Sequence, residues 1–263
     1  MIINAVCEKN EQAEALRGMD GIGRIFSEGE IMPYVFRNAD AEKCKEALSK
    51  KYLLVRSLDE IGYLRENGYT GEIVADHTLY TFNKLSRDTI ADLGVAYDTA
   101  PLELTYRELR DRGADGSELM VYGRIPMMIS ANCIYRDTNS DMCYKRRNGT
   151  QEKHISTDSP FREVLLTDRR NTDFPVLCDC RYCYNVIFNS VPLSLHGEWD
   201  KVKKLTPDSV RLYFTTESPE ETVKTAGYYI SLNRISEGMA DDGRLPDIPF
   251  DAFTKGHFIK GAE

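Results

Sequence analysis

The stretch YLLVRSLDEIGYLRENGYTGEIVADHTLY, residues 52–80, decides the fold class. It opens on a short apolar run, YLLV (52–55), and carries a second, EIVAD (72–76), near its end. Between them Ser57 and Glu60 stand at capping-box spacing, the Ser oxygen accepting from a free backbone amide and the Glu reaching back. A helix is therefore expected to start just after Ser57. Strand, helix and strand in so short a stretch imply parallel strands joined by a crossover helix.

The same rhythm extends outward. Apolar runs recur at IINAV (2–6), GRIF (23–26), GVAY (94–97) and ELMVY (118–122). Residues 39–50 and 83–93 have helical spacing of Ala, Leu and Ile, and Thr105-Tyr-Arg-Glu108 reads as a second capping box. No GxGxxG follows an early strand, so the dinucleotide-binding sheet has no support. The expected fold is α/β, part of a β/α (TIM-like) barrel. Chemistry in such barrels sits at the C-terminal ends of the strands, which places Asp76, Asp98, Glu103 and Arg124 near the functional face.

Residues 131–173 break the rhythm with a polar stretch that lacks periodic apolar positions. A loop this long in a compact domain is functional or pinned. The runs VLLTD (164–168), FPVLC (174–178) and NVIFN (185–189) lie close enough for a small β unit. A last strand, VRLYF (210–214), precedes Ser218-Pro219-Glu-Glu221, where Ser caps, Pro suits the first turn and acids favour the positive end of a helix. The tail from about 235 reads as irregular. The chain is thus expected to divide into a barrel-like portion (1–130), a cysteine-bearing loop with a small β unit (131–200), and a final strand, helix and tail (201–263).

Hydrophobic residues make up 41% and charged residues 29% of the 263, ordinary values for a soluble globular chain. No apolar run reaches the roughly 20 residues that span a bilayer, so no membrane partner is expected. The start, MIINAVCEKNEQAEAL, lacks the basic and apolar regions of a secretory signal, and the expected location is cytoplasmic. A net charge of -8 disfavours a role in coating nucleic acid, although short basic runs stand at 145–147 and 169–170. Those runs read first as solvated loops.

Seven cysteines in a chain of this kind do not suggest a disulfide framework. Cys7 and Cys44 read as buried small hydrophobes. The other five cluster: Cys133, Cys143, and the run Cys178-Asp-Cys180-Arg-Tyr-Cys183. Thiolates are soft ligands, and four satisfy either tetrahedral zinc or an iron–sulfur cluster. Structural zinc sites show two tight pairs, whereas here only the downstream one is tight. That spacing suits a cluster better and leaves zinc as the alternative. The bland reading is a set of loop cysteines. A thioredoxin-type CxxC has no helix to open.

Among other residues, Glu103, Glu118 and Glu217 stand beside apolar runs, where a tuned carboxylate transfers protons and an ordinary one forms a rim ion pair. Each of the four histidines reads first as structural; His77, beside Asp76 at a strand end, and His257, in the tail, are the two singled out. The catalytic residue stays open, with Glu103, Arg124, Glu217 and His257 as candidates.

Several stretches together resemble the collagenase-like peptidase family of unknown catalytic type, family U-32. They are ELMVYGRIPMMISANC (118–133), DFPVLCDCRYCYNVIFNSVPLSL (173–195), VRLYFTTES (210–218) and FTKGHFIKGAE (253–263). IVADHTLYTFN (73–83) and LGVAYDTAPLELTYREL (93–109) are similar to its later barrel strands. The resemblance implies the C-terminal portion of a barrel, without the glycine-rich half that opens family members. A missing barrel half, a partner subunit or a second copy of the chain is then the expected partner, because half a barrel leaves strand edges unpaired. Some members are described as proteases. Others serve oxygen-independent hydroxylation of RNA bases or quinone precursors and hold a 4Fe-4S cluster on four cysteines. By the same resemblance those ligands are Cys133, Cys143, Cys180 and Cys183, with Cys178 as a substitute for Cys180. RNA is an implied partner, and a non-enzymatic, metal-stabilised assembly domain is a further alternative.

Overall fold

The computed structural model describes residues 1–132, 134, 161–239 and 244–261. In chain order the elements are β1 (Ile2–Cys7), α1 (Asn10–Leu16), β2 (Ile22–Phe26), a 3-10 segment (Asn38–Ser49), β3 (Tyr52–Val55) and α2 (Leu58–Glu66). Next come β4 (Glu72–Ala75), a 3-10 turn (His77–Leu79), α3 (Lys84–Asp92), β5 (Tyr97–Thr99), α4 (Tyr106–Arg112) and β6 (Ser117–Gly123). Strands β7 (Pro126–Ser130), β8 (Phe161–Thr167), β9 (Asp173–Asp179) and β10 (Tyr184–Phe188) follow. The chain ends with β11 (Leu193–Ser194), a 3-10 turn (His196–Glu198), α5 (Trp199–Lys204), β12 (Ser209–Phe214) and α6 (Pro219–Ser236).

Two compact units result: residues 1–123 with 191–263, and residues 124–190. The final strand and helix thus share a unit with the first strands.

In the first unit seven strands pair in the order β2-β1-β12-β6-β5-β4-β3, every pair parallel. The two ends of this sheet approach each other. Ile31, just beyond β2, forms a parallel bridge with Leu54 of β3; Met32 N–H donates to the Leu54 carbonyl at 2.9 Å, and Leu54 N–H to the Glu30 carbonyl at 2.8 Å. The unit is therefore mixed α/β around a nearly closed, barrel-like parallel sheet. The sequence led us to expect the open edges of a half barrel; here the gap narrows to the seam between β2 and β3.

The local signals act as elementary physics requires. Ser57 and Glu60 cap α2 reciprocally, Thr105 and Glu108 cap α4, and Ser218 and Glu221 cap α6 with Pro219 in its first turn. Each box satisfies backbone amides that a helix start leaves unpaired. Strands β3 and β4 are buried after their first residue, and β6 and β12 are buried along their whole length, as expected of strands covered on both faces. Helix α1 packs on α6 outside the sheet. Short β11 adds to β6 antiparallel, and the tail crosses back to it through a Leu193–Thr254 bridge.

One cap carries a pH consequence. Glu60 is fully buried; burial pushes its carboxyl from 4.5 up to about 8, against the pull of the Arg56 and Ser57 amides. Its stabilising proton is fully held below the unfolded value and lost as pH rises through the folded one. Glu60→Gln is therefore expected to flatten the fall of stability between about pH 4.5 and 8. Urea melts at pH 5 and pH 9 check this, and an unchanged pH slope in the variant would refute it.

The second unit is a four-stranded antiparallel sheet in the order β7-β10-β9-β8. The expected small β unit is built from the three runs read in the sequence, joined by β7. Val176, Leu177, Cys178, Val186 and Phe188 are among its buried side chains, with Leu177 and Val186, partners in register, on one face and Val176 and Cys178 on the other.

Candidate functional site

The first unit carries charge inside its ring. Arg56 follows β3, yet its Nη2 donates to Glu8 beyond β1 at 2.8 Å and its Nε to Asp76 beyond β4 at 3.1 Å. Arg211 of β12 donates through Nη1 to Asp76 at 2.6 Å and through Nε to Glu118 of β6 at 2.5 Å. Strands β3 and β1 are not neighbours in the sheet, nor are β12 and β4, so these bonds cross the interior. Glu118 also accepts from Asn4 Nδ2 (2.8 Å) and Ser209 Oγ (3.3 Å). All five charged side chains are buried.

Two tyrosines close this cluster around Arg56. Tyr213 donates its hydroxyl to Glu8, so the Tyr34 hydroxyl, 2.6 Å from that of Tyr213, is the donor in their contact. The Arg56 guanidinium lies 3.6 Å from the centroid of the Tyr34 ring, a cation–π contact in a desolvated setting. Burial, then Glu8 and Tyr34, raises the Tyr213 phenol well above its ordinary value, so it stays a neutral donor. Burial opposes the charge of Asp76, but His77, Arg211 and Arg56 outweigh it and hold that carboxyl well below the usual range. Burial likewise opposes the charges of Arg56 and Arg211, and the acids and tyrosines around them keep both guanidiniums protonated. Asp76 also accepts from the backbone N–H of His77 and contacts its ring Nδ1, both at 2.9 Å.

Of the positions placed near a functional face by their strand ends, Asp76 joins this cluster and Asp98 does not. Asp98 accepts from Arg112, Thr81 and, at 2.6 Å, Ser117, in a separate buried knot. That knot also anchors Thr81 between Tyr80 and Phe82, whose exposed rings stack at 5.7 Å. Glu103 has a buried Oε2 with no hydrogen-bond partner. Glu217 accepts from the Tyr122 hydroxyl at 3.0 Å and the Thr215 amide at 2.6 Å, which ties the turn after β12. His257 is half-buried in the tail, where its carbonyl accepts from Gly261. Arg124 belongs to the second unit and donates to the carbonyls of Asn189 and Ser190, joining the two ends of that unit.

Glu8, Arg56, Arg211, Tyr34 and Tyr213 were not singled out on sequence. Their signal was present: Arg211 stands between Val210 and Leu212, and Asn4 between Ile3 and Ala5, in strands otherwise apolar. A charged or polar side chain that breaks a buried run must find a partner, and two such side chains point to a buried polar cluster.

The second unit carries the cysteine turn. Asp179 of β9 pairs with Tyr184 of β10, leaving Cys180, Arg181, Tyr182 and Cys183 as a four-residue hairpin loop. Asp179 Oδ1 accepts from the Arg181 amide at 3.0 Å, an Asx turn that starts the reversal. Cys183 completes it in the left-handed region, with φ of 56°. Its sulfur lies 3.8 Å from the Cys180 carbonyl, and both cysteines are half-buried. Cys178 is buried within β9. Cys133 and Cys143, His154 and the basic run at 145–147 lie outside the described residues. Among the described residues no three His, Cys, Asp or Glu side chains stand where they could together hold a metal. Cys7 and Cys44 are buried, and burial, with Glu8 and Glu217, pushes the Cys7 thiol up and away from reactivity.

Among the described residues one serine–histidine pair is present: Ser194 Oγ lies 2.7 Å from His196 Nδ1 and 2.6 Å from the Tyr229 hydroxyl. Ser194 is fully buried, so this pair offers no accessible nucleophile. Among the described residues no helix is long and apolar enough to cross a membrane. Set against known proteins, the chain matches no family model, no curated protein and no solved structure, so the functional argument rests on these residues and their geometry.

Proposed function

We propose that the chain is a cysteine-ligated iron–sulfur module on a TIM-like barrel, the C-terminal part of a protein of the collagenase-like peptidase U-32 type. Its reaction is oxygen-independent hydroxylation of RNA or another ring substrate. The observation that carries this reading is the Cys180–Cys183 turn, fixed by the Asp179 Asx turn and by the left-handed Cys183. Cys180 and Cys183 would supply two ligands and Cys133 and Cys143 the others, with Cys178 as the substitute. A 4Fe-4S cluster so held would supply electron transfer. The near-closed order of parallel strands supports the TIM-like description, and the buried acid–arginine cluster gives that barrel a polar interior. RNA, a missing barrel half or a second copy of the chain are the proposed partners.

Anaerobic purification with iron and sulfide analysis tests the reading. The full chain is expected to carry about four iron and four sulfide per protein, as a 4Fe-4S cluster requires. Cys180→Ser and Cys183→Ser are each expected to lose most of that iron and the brown absorbance. One zinc per chain, held through the same cysteines, would replace the cluster with a structural site and leave the assembly-domain alternative. Full metal retention in both variants would sink the assignment.

A further inference from the structure

We propose that Nε2 of His77 is a proton-accepting site at the C-terminal end of β4, with Asp76 as its positioning residue. Two buried guanidiniums hold the Asp76 carboxyl ionised, Arg211 through Nη1 and Arg56 through Nε. An ionised carboxylate only accepts hydrogen bonds. Whenever the ring is neutral, the 2.9 Å contact between Asp76 Oδ1 and His77 Nδ1 places its one proton on Nδ1. The lone pair is left on Nε2. No described group hydrogen-bonds Nε2, and it is not among the enclosed polar atoms, so the 8% of the side chain that stays exposed includes this nitrogen.

The carboxylate cannot turn away. Its Oδ1 also accepts from the His77 amide at 2.9 Å and from Arg211 Nη1 at 2.6 Å, and its Oδ2 from Arg56 Nε at 3.1 Å. The ring is fixed from its own side as well, because His77 opens the 3-10 turn that Asp76 caps. A carboxylate behind one imidazole nitrogen sets the tautomer and stabilises the imidazolium formed when the other takes a proton.

The surrounding charge defines the ligand class. Among the described residues the ion pairs beside His77 set three carboxyl groups, Glu8, Asp76 and Glu118, against two guanidiniums, Arg56 and Arg211. Anions are disfavoured there, and a neutral or cationic molecule bearing an O–H or N–H proton is favoured. In the transfer, the Nε2 lone pair bonds the proton, the electrons of the broken O–H or N–H bond stay on the ligand atom, and the new imidazolium rests against Asp76. This inference is independent of the cysteine turn.

Nitrogen-15 NMR of the full chain labelled in histidine reads the tautomer directly. His77 is expected to carry its proton on Nδ1; a proton on Nε2 instead would overturn the proposal. This reading needs no variant. Diethyl pyrocarbonate gives a second readout, since an unprotonated imidazole nitrogen takes its ethoxycarbonyl group with release of ethanol and carbon dioxide. His77 is expected to be modified in the native chain, and Asp76→Asn, whose neutral amide no longer enforces the tautomer, to slow that modification about tenfold. His257 serves as the internal reference and should react alike in both. A native His77 that resists the reagent, or one that reacts equally fast in Asp76→Asn, contradicts the proposal.

Discussion

Arg211→Ala is expected to lower the unfolding free energy by about 3–5 kcal/mol, the usual consequence of removing one partner from a buried ion cluster. The side chain is 2% exposed and touches two acids at once, Asp76 at 2.6 Å and Glu118 at 2.5 Å. Its loss leaves both carboxylates in a dry interior. Asn4 and Ser209 still donate to Glu118, and Arg56 and His77 to Asp76, so the two sites lose different shares of their support. A second substitution separates the effects. Glu118→Gln in the Arg211→Ala background removes one stranded charge and is expected to recover part of the loss. Acid titration adds an independent check. A carboxyl held below its ordinary value contributes stability above the unfolded pKa and loses it as pH falls through the folded one. Arg211 is one of the groups holding Asp76 down, so in the variant the acid-side loss from this carboxyl should be smaller and should be complete at a higher pH. Urea melts that place Arg211→Ala within 1 kcal/mol of the parent would show that Arg211 does not hold the interior together.

Much of the barrel-like unit was legible because its signals are local. Capping boxes at Ser57, Thr105 and Ser218 mark helix starts through bonds between residues three apart, and apolar runs mark strands covered on both faces. The near-closure of the sheet was not legible. It depends on the Ile31–Leu54 bridge, which lies in a turn with no strand pattern of its own. The site was legible in the same uneven way. Asp76 and His77 are adjacent in sequence, and a strand end drew notice to both. Arg56 and Arg211 become meaningful only when Glu8, Asp76 and Glu118 converge on them, from positions up to 135 residues away. Cys180 and Cys183 announced themselves by spacing, but the left-handed backbone at Cys183 could not be read from a residue type that seldom adopts it.

Gly123→Ala is the second large loss to expect, and a glycine of opposite behaviour gives its control. Gly123 ends β6 at φ of 140°, a region that L side chains rarely occupy. A Cβ there would lie 2.4 Å from the Tyr213 carbonyl oxygen and 2.7 Å from the Tyr213 Cβ. Neither can yield cheaply, because Gly123 and Tyr213 are register partners in the β6–β12 ladder just past its irregularity. Backbone strain alone costs about 1–3 kcal/mol, and the contact adds to it. The disturbance also reaches the interior: Tyr213 donates to Glu8, and Glu8 accepts from Arg56, so a displaced β12 loosens the acid–arginine cluster as well. Gly62 lies within α2 with open space where its Cβ would stand. Gly62→Ala is therefore expected to stabilise the chain by about 0.5–1 kcal/mol through helix propensity. Thermal melts of the two variants should move in opposite directions, and a Gly123→Ala protein as stable as the parent would mean that β6 and β12 do not meet as closely as the Gly123–Tyr213 contact requires.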